Sequence, residues 1–218
     1  MKLIQLVTSV ALIGSMTLGA YGSANAADVT VKITPKMAAA KVKHDGKTIT
    51  VMRNQNQENT INPDFAKTSR KCPPFCIRPF NTAKGVETIG ELEVIEYAKQ
   101  MSDGKKVMLV DNRTPDWHAK GTIPGAVNVP FTRINRSKGA DDLSFAEALE
   151  LFGATEGAKG WDFSKAKTLV MFCNGMWCGQ SPLGIEGIMD LGYPADKIKW
   201  YRGGMQSWEI VGLTTVKP

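Results

Sequence analysis

The spacing of apolar residues changes twice along the chain. Residues 3–20 form one apolar run, diluted by Thr8, Ser9, Gly14, Ser15, Thr17 and Gly19. From Asp28 to about Gln55 apolar and polar positions alternate, the period of a half-buried strand. Val29, Val31 and Ile33 start this pattern, and Lys41 to Met52 reads as a hairpin turning at Asp45-Gly46. Asn54 to Thr60 is polar and loop-like. Asn62 to Pro79 carries Pro63, Pro73, Pro74 and Pro79, which predicts an ordered coil lying on another element.

From Val86 onward, short apolar runs alternate with stretches of helical period. Strands are expected at 87–89, 106–111, 126–129, 168–172 and 198–201, and helices at 91–101, 115–119, 144–152, 182–191 and 205–211. Strands separated by helices imply an α/β domain with a mostly parallel sheet, here five-stranded, covered by helices on both faces. Residues 27–85 form an extension of hairpin and coil ahead of a domain spanning 86–218. The stretch from Thr132 to Lys165 exceeds what a compact core needs and is expected to add a wall to the site.

The start of the chain changes the picture of compartment. Met1-Lys2, the apolar run and an Ala-x-Ala ending at Ala26 are the three parts of a cleavable signal peptide, residues 1–26. A span of the bilayer needs about 20 strongly apolar residues, and this run is too dilute. A periplasmic or secreted protein is expected, with no membrane contact after cleavage. The net charge of +6 is spread without a Lys/Arg block, which argues against nucleic-acid binding and leaves a mild preference for anionic ligands.

The four cysteines fall in two close pairs, Cys72/Cys76 and Cys173/Cys178. In an oxidising compartment Cys72 and Cys76 are expected to form a local structural disulfide. A sharper alternative docks this pair beside the active loop as a sulfur acceptor or redox partner. With only two histidines, His44 and His118, no metal site and no cofactor are expected. His118, with Asp116, is read as a surface or capping group before a general base.

In parallel α/β sheets, ligands sit at the carboxyl ends of strands. Two strands end in reactive groups, one in Asp111 and the other in Cys173. After Cys173 come Asn174, Gly175, Met176, Trp177, Cys178, Gly179 and Gln180. Ser181 would then be the N-cap and Pro182 the first residue of a helix. Such a loop can aim several backbone N–H groups, and the positive end of a helix, at the Cys173 sulfur. That lowers a thiol from its usual value near 8.5.

Three segments carry a family resemblance. Val110 to Pro130, with Asp111, Arg113, Gly121, Ile123, Pro124, Gly125 and Ala126, is similar to the first signature of the rhodanese superfamily. Gly203 to Trp208 resembles its closing signature, and a hydrophobic strand delivers Cys173 to the position of the family's catalytic cysteine. The resemblance implies a sulfurtransferase working by double displacement. Cys173 would take sulfur from thiosulfate or a persulfide and pass it to a thiol or other nucleophile. It also implies that Asp111 and Arg113 support the loop or pocket.

The resemblance is incomplete at the loop. Cys178 stands where the family usually has Arg, and the loop is longer. Positive charge for an oxyanion donor must then come from elsewhere, with Arg202 the first candidate and Arg113 the second. Cys178 can also resolve a Cys173 persulfide or sulfenate as a disulfide, which opens a redox role with a protein redox partner. Trp177 is placed at the pocket mouth; Trp161, Trp200 and Trp208 are read as packing. The rivals are a non-catalytic or redox-sensing module of this fold, a thioredoxin-like oxidoreductase and a Cys-dependent phosphatase. The phosphatase is disfavoured because no Arg lies between Cys173 and Ser181.

Overall fold

A computed structural model describes residues 29–218; the expected signal peptide, 1–26, lies outside the described residues. The hairpin is β1 (Ala39–His44) and β2 (Lys47–Met52), antiparallel, with His44 opposite Lys47. Asp45 and Gly46 both have positive φ, 47° and 75°, as a two-residue turn of matching twist requires. A one-turn helix, α1 (Pro63–Ala66), interrupts the proline-rich coil, capped by Asn62.

The alternation of Val29, Val31 and Ile33 does not make a strand. The side chain of Gln55 takes the backbone instead: its Oε1 accepts from the Thr30 and Val31 amides and its Nε2 donates to Val31 O. With those groups satisfied by a side chain, no ladder partner is needed.

The main sheet holds β3 (Glu87–Ile89), β4 (Val107–Asp111), β5 (Val127–Asn128), β8 (Thr168–Phe172) and β9 (Ile198–Tyr201), in the order β3-β9-β8-β4-β5. Every pairing is parallel. The helices are α2 (Glu91–Ser102), α3 (Pro115–Lys120), α4 (Asp142–Leu151), α5 (Gln180–Asp190) and α6 (Gly204–Ile210). Side chains of a strand alternate between faces, so each central strand feeds two cores. Met108, Val110, Leu169 and Met171 join one with Phe145, Leu149 and Ile185. Leu109, Val170 and Phe172 join the other with Ile95, Met205, Trp208 and the hairpin residues Val42 and Val51. Leu109 has no exposed surface, and truncating such a side chain to Ala costs about 2–5 kcal/mol.

The hairpin is tied down at both ends of the chain's later course. The Lys43 amide donates to Ser102 Oγ at the end of α2, and Thr214 N donates to Met52 O. Residues 132–165 contribute α4 and a second small hairpin, β6 (Thr155–Gly157) with β7 (Gly160–Asp162). Ile134 and Asn135 press on the flank of α5 at Gly184 and Gly187. The expected extra wall of the site is therefore corrected: none of residues 132–165 lines the cavity beside the loop.

Candidate active site

β8 ends at Phe172, and the next residue, Cys173, is 2% exposed. Its carbonyl is drawn away from the cavity by α6, where the Met205 amide donates to Cys173 O and the Gln206 amide to Asn174 O. This close approach explains Gly204. Its φ is +57°, and a Cβ there would strike the Cys173 carbonyl. The backbone is thereby turned so that donors face the sulfur.

Those donors are the Ser181 hydroxyl, 3.3 Å from Cys173 Sγ, the Ser181 and Gly175 amides, and the Cys178 thiol. Ser181 is not the N-cap it was expected to be. α5 begins two residues before the expected Pro182, at Gln180, with Gly179 as cap, and its first internal bond runs from Leu183 N to Gly179 O. Pro182 then occupies the third helical position, where a missing N–H costs no helical bond. The freed amides of the first turn go to sulfur, Ser181 to Cys173 and Gln180 to Cys178. The Ser181 hydroxyl is itself aimed by Trp200, whose Nε1 donates to it at 3.0 Å.

Burial alone would push the Cys173 thiol up. The hydrogen bonds from Cys178, Ser181 and Gly175 outweigh it and bring the thiol down to about 7. For Cys178, burial and the Cys173 sulfur beside it both push the thiol well above its ordinary range. Cys173 is thus the more acidic of the two thiols, and Cys178, whose thiol also donates to Gln180 Oε1 at 3.7 Å, is the one that keeps its proton. Both are free thiols.

Under the loop lies a buried ion pair. Arg113 Nε donates to Asp111 Oδ1 at 2.8 Å, Nη2 reaches Asp111 Oδ2 and Gly121 O, and Nη1 reaches Asn174 Oδ1 at 3.4 Å. Thr122 Oγ1 and His118 Nδ1 complete the shell of Asp111 Oδ2, at 2.9 and 3.0 Å. Burial would raise Asp111, but these bonds and the guanidinium charge hold it below the ordinary 3.8. Asp111 and Arg113 have no exposed surface, so they brace Asn174 and face no cavity.

The roof comes from the extension. The Arg78 amide donates to Met176 O, and the Arg78 guanidinium lies over Gly179, in space that a Cβ would fill. Phe75 meets Trp177 edge-on with ring centroids 5.6 Å apart, and the Arg70 guanidinium sits over both rings, at 3.5 and 4.4 Å. Trp177 Nε1 is held by Gln206 Oε1, whose amide nitrogen donates to Phe65 O. Between roof and loop is a cavity of about 320 Å³, bounded by Arg70, Arg78, Phe75, Trp117, Trp177 and Cys178 among others. Cys72 and Cys76 form a disulfide and line a second cavity of about 660 Å³, shared with Met176, Trp177 and Gln206.

A family model for the rhodanese-like domain matches residues 94–210, more than half of the chain. The chain belongs to the rhodanese-like domain family. No curated protein matches it. Among solved structures it is similar to the human single-domain sulfurtransferase, at 22% identity and TM-score 0.34, covering 56% of this chain and 95% of that one. A rhodanese-related protein from Thermoplasma volcanium is similar at 20% identity and TM-score 0.36, covering 61% and 99%. So is the As–Sb reductase of Leishmania major, at 19% and 0.39, covering 56% and 77%.

Within this rhodanese-like domain, the residues singled out in the sequence meet at one strand end, with one exception. Arg202, expected to supply charge to the site, donates instead to the Arg78 and Pro79 carbonyls and does not line the loop cavity. Its guanidinium anchors the roof through Nε and Nη2. The arginines at the cavity are Arg70 and Arg78, which sequence reasoning missed. They stand two residues before Cys72 and two after Cys76, the one local sign that the coil presents charge on both sides of its disulfide. Trp200 was also missed as a positioning residue. Among the described residues no cluster of three or more His, Cys, Asp or Glu side chains could hold a metal ion. No described helix is long and apolar enough to cross a membrane.

Proposed function

We propose that this protein is a sulfurtransferase that carries sulfane sulfur as a persulfide on Cys173. The observation that carries the reading is the inward ring of donors on the Cys173 sulfur, with the thiol lowered to about 7. A thiolate so placed attacks the outer sulfur of thiosulfate or of a persulfide. A new bond forms between the Cys173 sulfur and the sulfane sulfur. The donor's own sulfur–sulfur bond breaks, and sulfite or a thiolate leaves with the electron pair. The terminal sulfur of the persulfide carries the negative charge, which the same amides and hydroxyl stabilise. A thiol acceptor then takes the sulfane sulfur and regenerates the Cys173 thiolate. Because Cys173 is 2% exposed, loading requires the roof or the Cys178 side chain to move.

The contact between the two thiols favours a second use of the site. Cys178, once deprotonated, attacks the Cys173 side of the persulfide. The Cys173–Cys178 disulfide forms and hydrogen sulfide leaves with the proton, so no outside oxidant is needed. This would make the domain a redox sensor or the client of a thiol–disulfide partner protein. We also propose a location in the periplasm or outside the cell, which the signal-peptide pattern of residues 1–26 supports; sequencing the N-terminus of the purified protein tests it.

The test of the main reading is the intact mass after incubation with thiosulfate or a low-molecular-weight persulfide. A gain of one sulfur atom, removable by cyanide and lost in Cys173→Ser, supports it. No gain with either donor overturns it. Phosphate release from an aryl phosphate, without sulfur loading, would point to the phosphatase instead.

A further inference from the structure

We propose that Arg78, with Arg70, forms an anion-binding subsite in the roof of the loop cavity, which takes the anionic group of the sulfur donor. The proposal rests on the sulfurtransferase reading for its substrate, but the subsite stands on its own geometry. Both guanidinium groups border the 320 Å³ cavity, and no acidic side chain does. Among the described residues neither arginine is paired with a carboxylate: no ion pair includes Arg70 or Arg78. Arg78 Nε is buried and has no hydrogen-bond partner. A buried guanidinium N–H left unmade is costly, and an oxyanion is the partner whose geometry matches its fork.

The two groups are also fixed in place. The Arg78 backbone is held from both sides, its amide by Met176 O and its carbonyl by Arg202 Nη2 at 2.8 Å. Arg70 is stacked on Phe75 and Trp177. Only glycine at 179 lets the Arg78 guanidinium rest on the loop. Charge that the loop itself lacks, with Cys178 at its centre, is thus delivered by a segment about a hundred residues earlier in the chain.

The size and walls of the cavity bear on the donor. A water occupies about 30 Å³, so 320 Å³ exceeds what a small inorganic anion fills. Phe75, Trp117, Phe131 and Leu183 give the remainder apolar walls. The shared chemistry is an anionic group near a sulfane sulfur, which thiosulfate supplies as a sulfonate and a peptide-like persulfide as a carboxylate.

The experiment compares donors in wild type, Arg78→Gln and Arg78→Lys. For each protein, kcat/KM is measured with thiosulfate, with glutathione persulfide, and with the persulfide of 2-mercaptoethanol, which carries no oxyanion. In Arg78→Gln the ratio of an oxyanionic donor to the 2-mercaptoethanol persulfide should fall at least about tenfold, the loss expected for one charge-assisted hydrogen bond. Arg78→Lys should recover part of it. A fall with thiosulfate assigns the inorganic donor; a fall confined to glutathione persulfide assigns the organic one. Unchanged ratios with both overturn the subsite.

A binding arm separates this from failure of the transferase reading. Binding of thiosulfate and, separately, of glutathione to Cys173→Ser is followed by tryptophan fluorescence, since Trp117 and Trp177 border the cavity. Binding weakened at least about tenfold by adding Arg78→Gln supports the subsite even if no donor loads Cys173. Binding that is absent for both probes, or indifferent to Arg78 for both, overturns it.

Discussion

Ser181 Oγ lies 3.3 Å from Cys173 Sγ, and Trp200 Nε1 donates to the same hydroxyl at 3.0 Å. The indole takes one lone pair of the hydroxyl and so leaves its hydrogen for the sulfur. A tryptophan on β9 thereby orients the hydroxyl that bonds a cysteine just past the end of β8, across neighbouring parallel strands.

The hydroxyl's contribution can be measured as a change in titration. A hydrogen bond to a charged group is worth about 1.5–3 kcal/mol, or about one to two pKa units. In Ser181→Ala the pH profile of Cys173 alkylation by iodoacetamide should shift upward by about one unit from its wild-type midpoint near 7. The sign for stability follows from the same shift. With the folded thiol lowered to about 7 from an ordinary value of about 8.5–9, thiolate stabilisation is complete above that ordinary value and lost as pH falls through 7. Wild type should therefore gain stability between pH 7 and 9, and Ser181→Ala less. An unmoved midpoint would show that the hydroxyl does not serve the thiolate.

The ion pair beneath the loop should behave as a buried one. Asp111→Asn leaves the Arg113 charge without its partner and is expected to cost about 3–5 kcal/mol in urea unfolding at neutral pH. Because the folded carboxyl is held below 3.8, its contribution is present above that value and lost as pH falls beneath it. The difference between variant and wild type should narrow in that acid range. A cost of under about 1 kcal/mol would place the pair among exposed ones.

Gly204→Ala tests the packing of α6 on the loop. The left-handed backbone and the blocked Cβ position predict a loss of about 2–4 kcal/mol. Sulfur loading of Cys173 should fall with it, because the Met205 and Gln206 amides would no longer hold the loop carbonyls. A wild-type unfolding midpoint would show that the approach is looser than described.

The disulfide should control the roof more than the sheet. Closing the short ring between Cys72 and Cys76 is worth about 2 kcal/mol by loop entropy. In the double variant Cys72→Ser, Cys76→Ser the Arg78 amide, bonded to Met176 O, should exchange with solvent at least about tenfold faster. Iodoacetamide should also reach Cys173 faster. Equal exchange in both proteins would mean that Arg70 and Phe75 hold the roof without the disulfide.

The sheet strands, the Asp45-Gly46 turn and the helix after the loop could be read from the sequence because burial leaves a period. Strand β4 is apolar from Val107 to Val110 and β8 from Leu169 to Phe172, and α2 carries buried Val94, Ile95 and Ala98 at helical spacing. Cys173 was legible for the same reason, as the residue that a buried strand delivers to its carboxyl end. The start of α5 was misjudged by two residues because Ser181 and Pro182 are individually good terminal residues. The competing demand on the Ser181 hydroxyl, from Cys173 and Trp200, exists only once β9 lies beside β8.

What the sequence alone determined is therefore the scaffold and the thiol, both of them products of local order along one chain segment. The tertiary structure decided which charges surround that thiol. It turned Arg202 to the Arg78 and Pro79 carbonyls, buried Arg113 against Asp111, and brought Arg70 and Arg78 onto the loop. A proline-rich coil docks through single backbone bonds, ring contacts and the space above a glycine. None of these repeats along the sequence, so no period announces them.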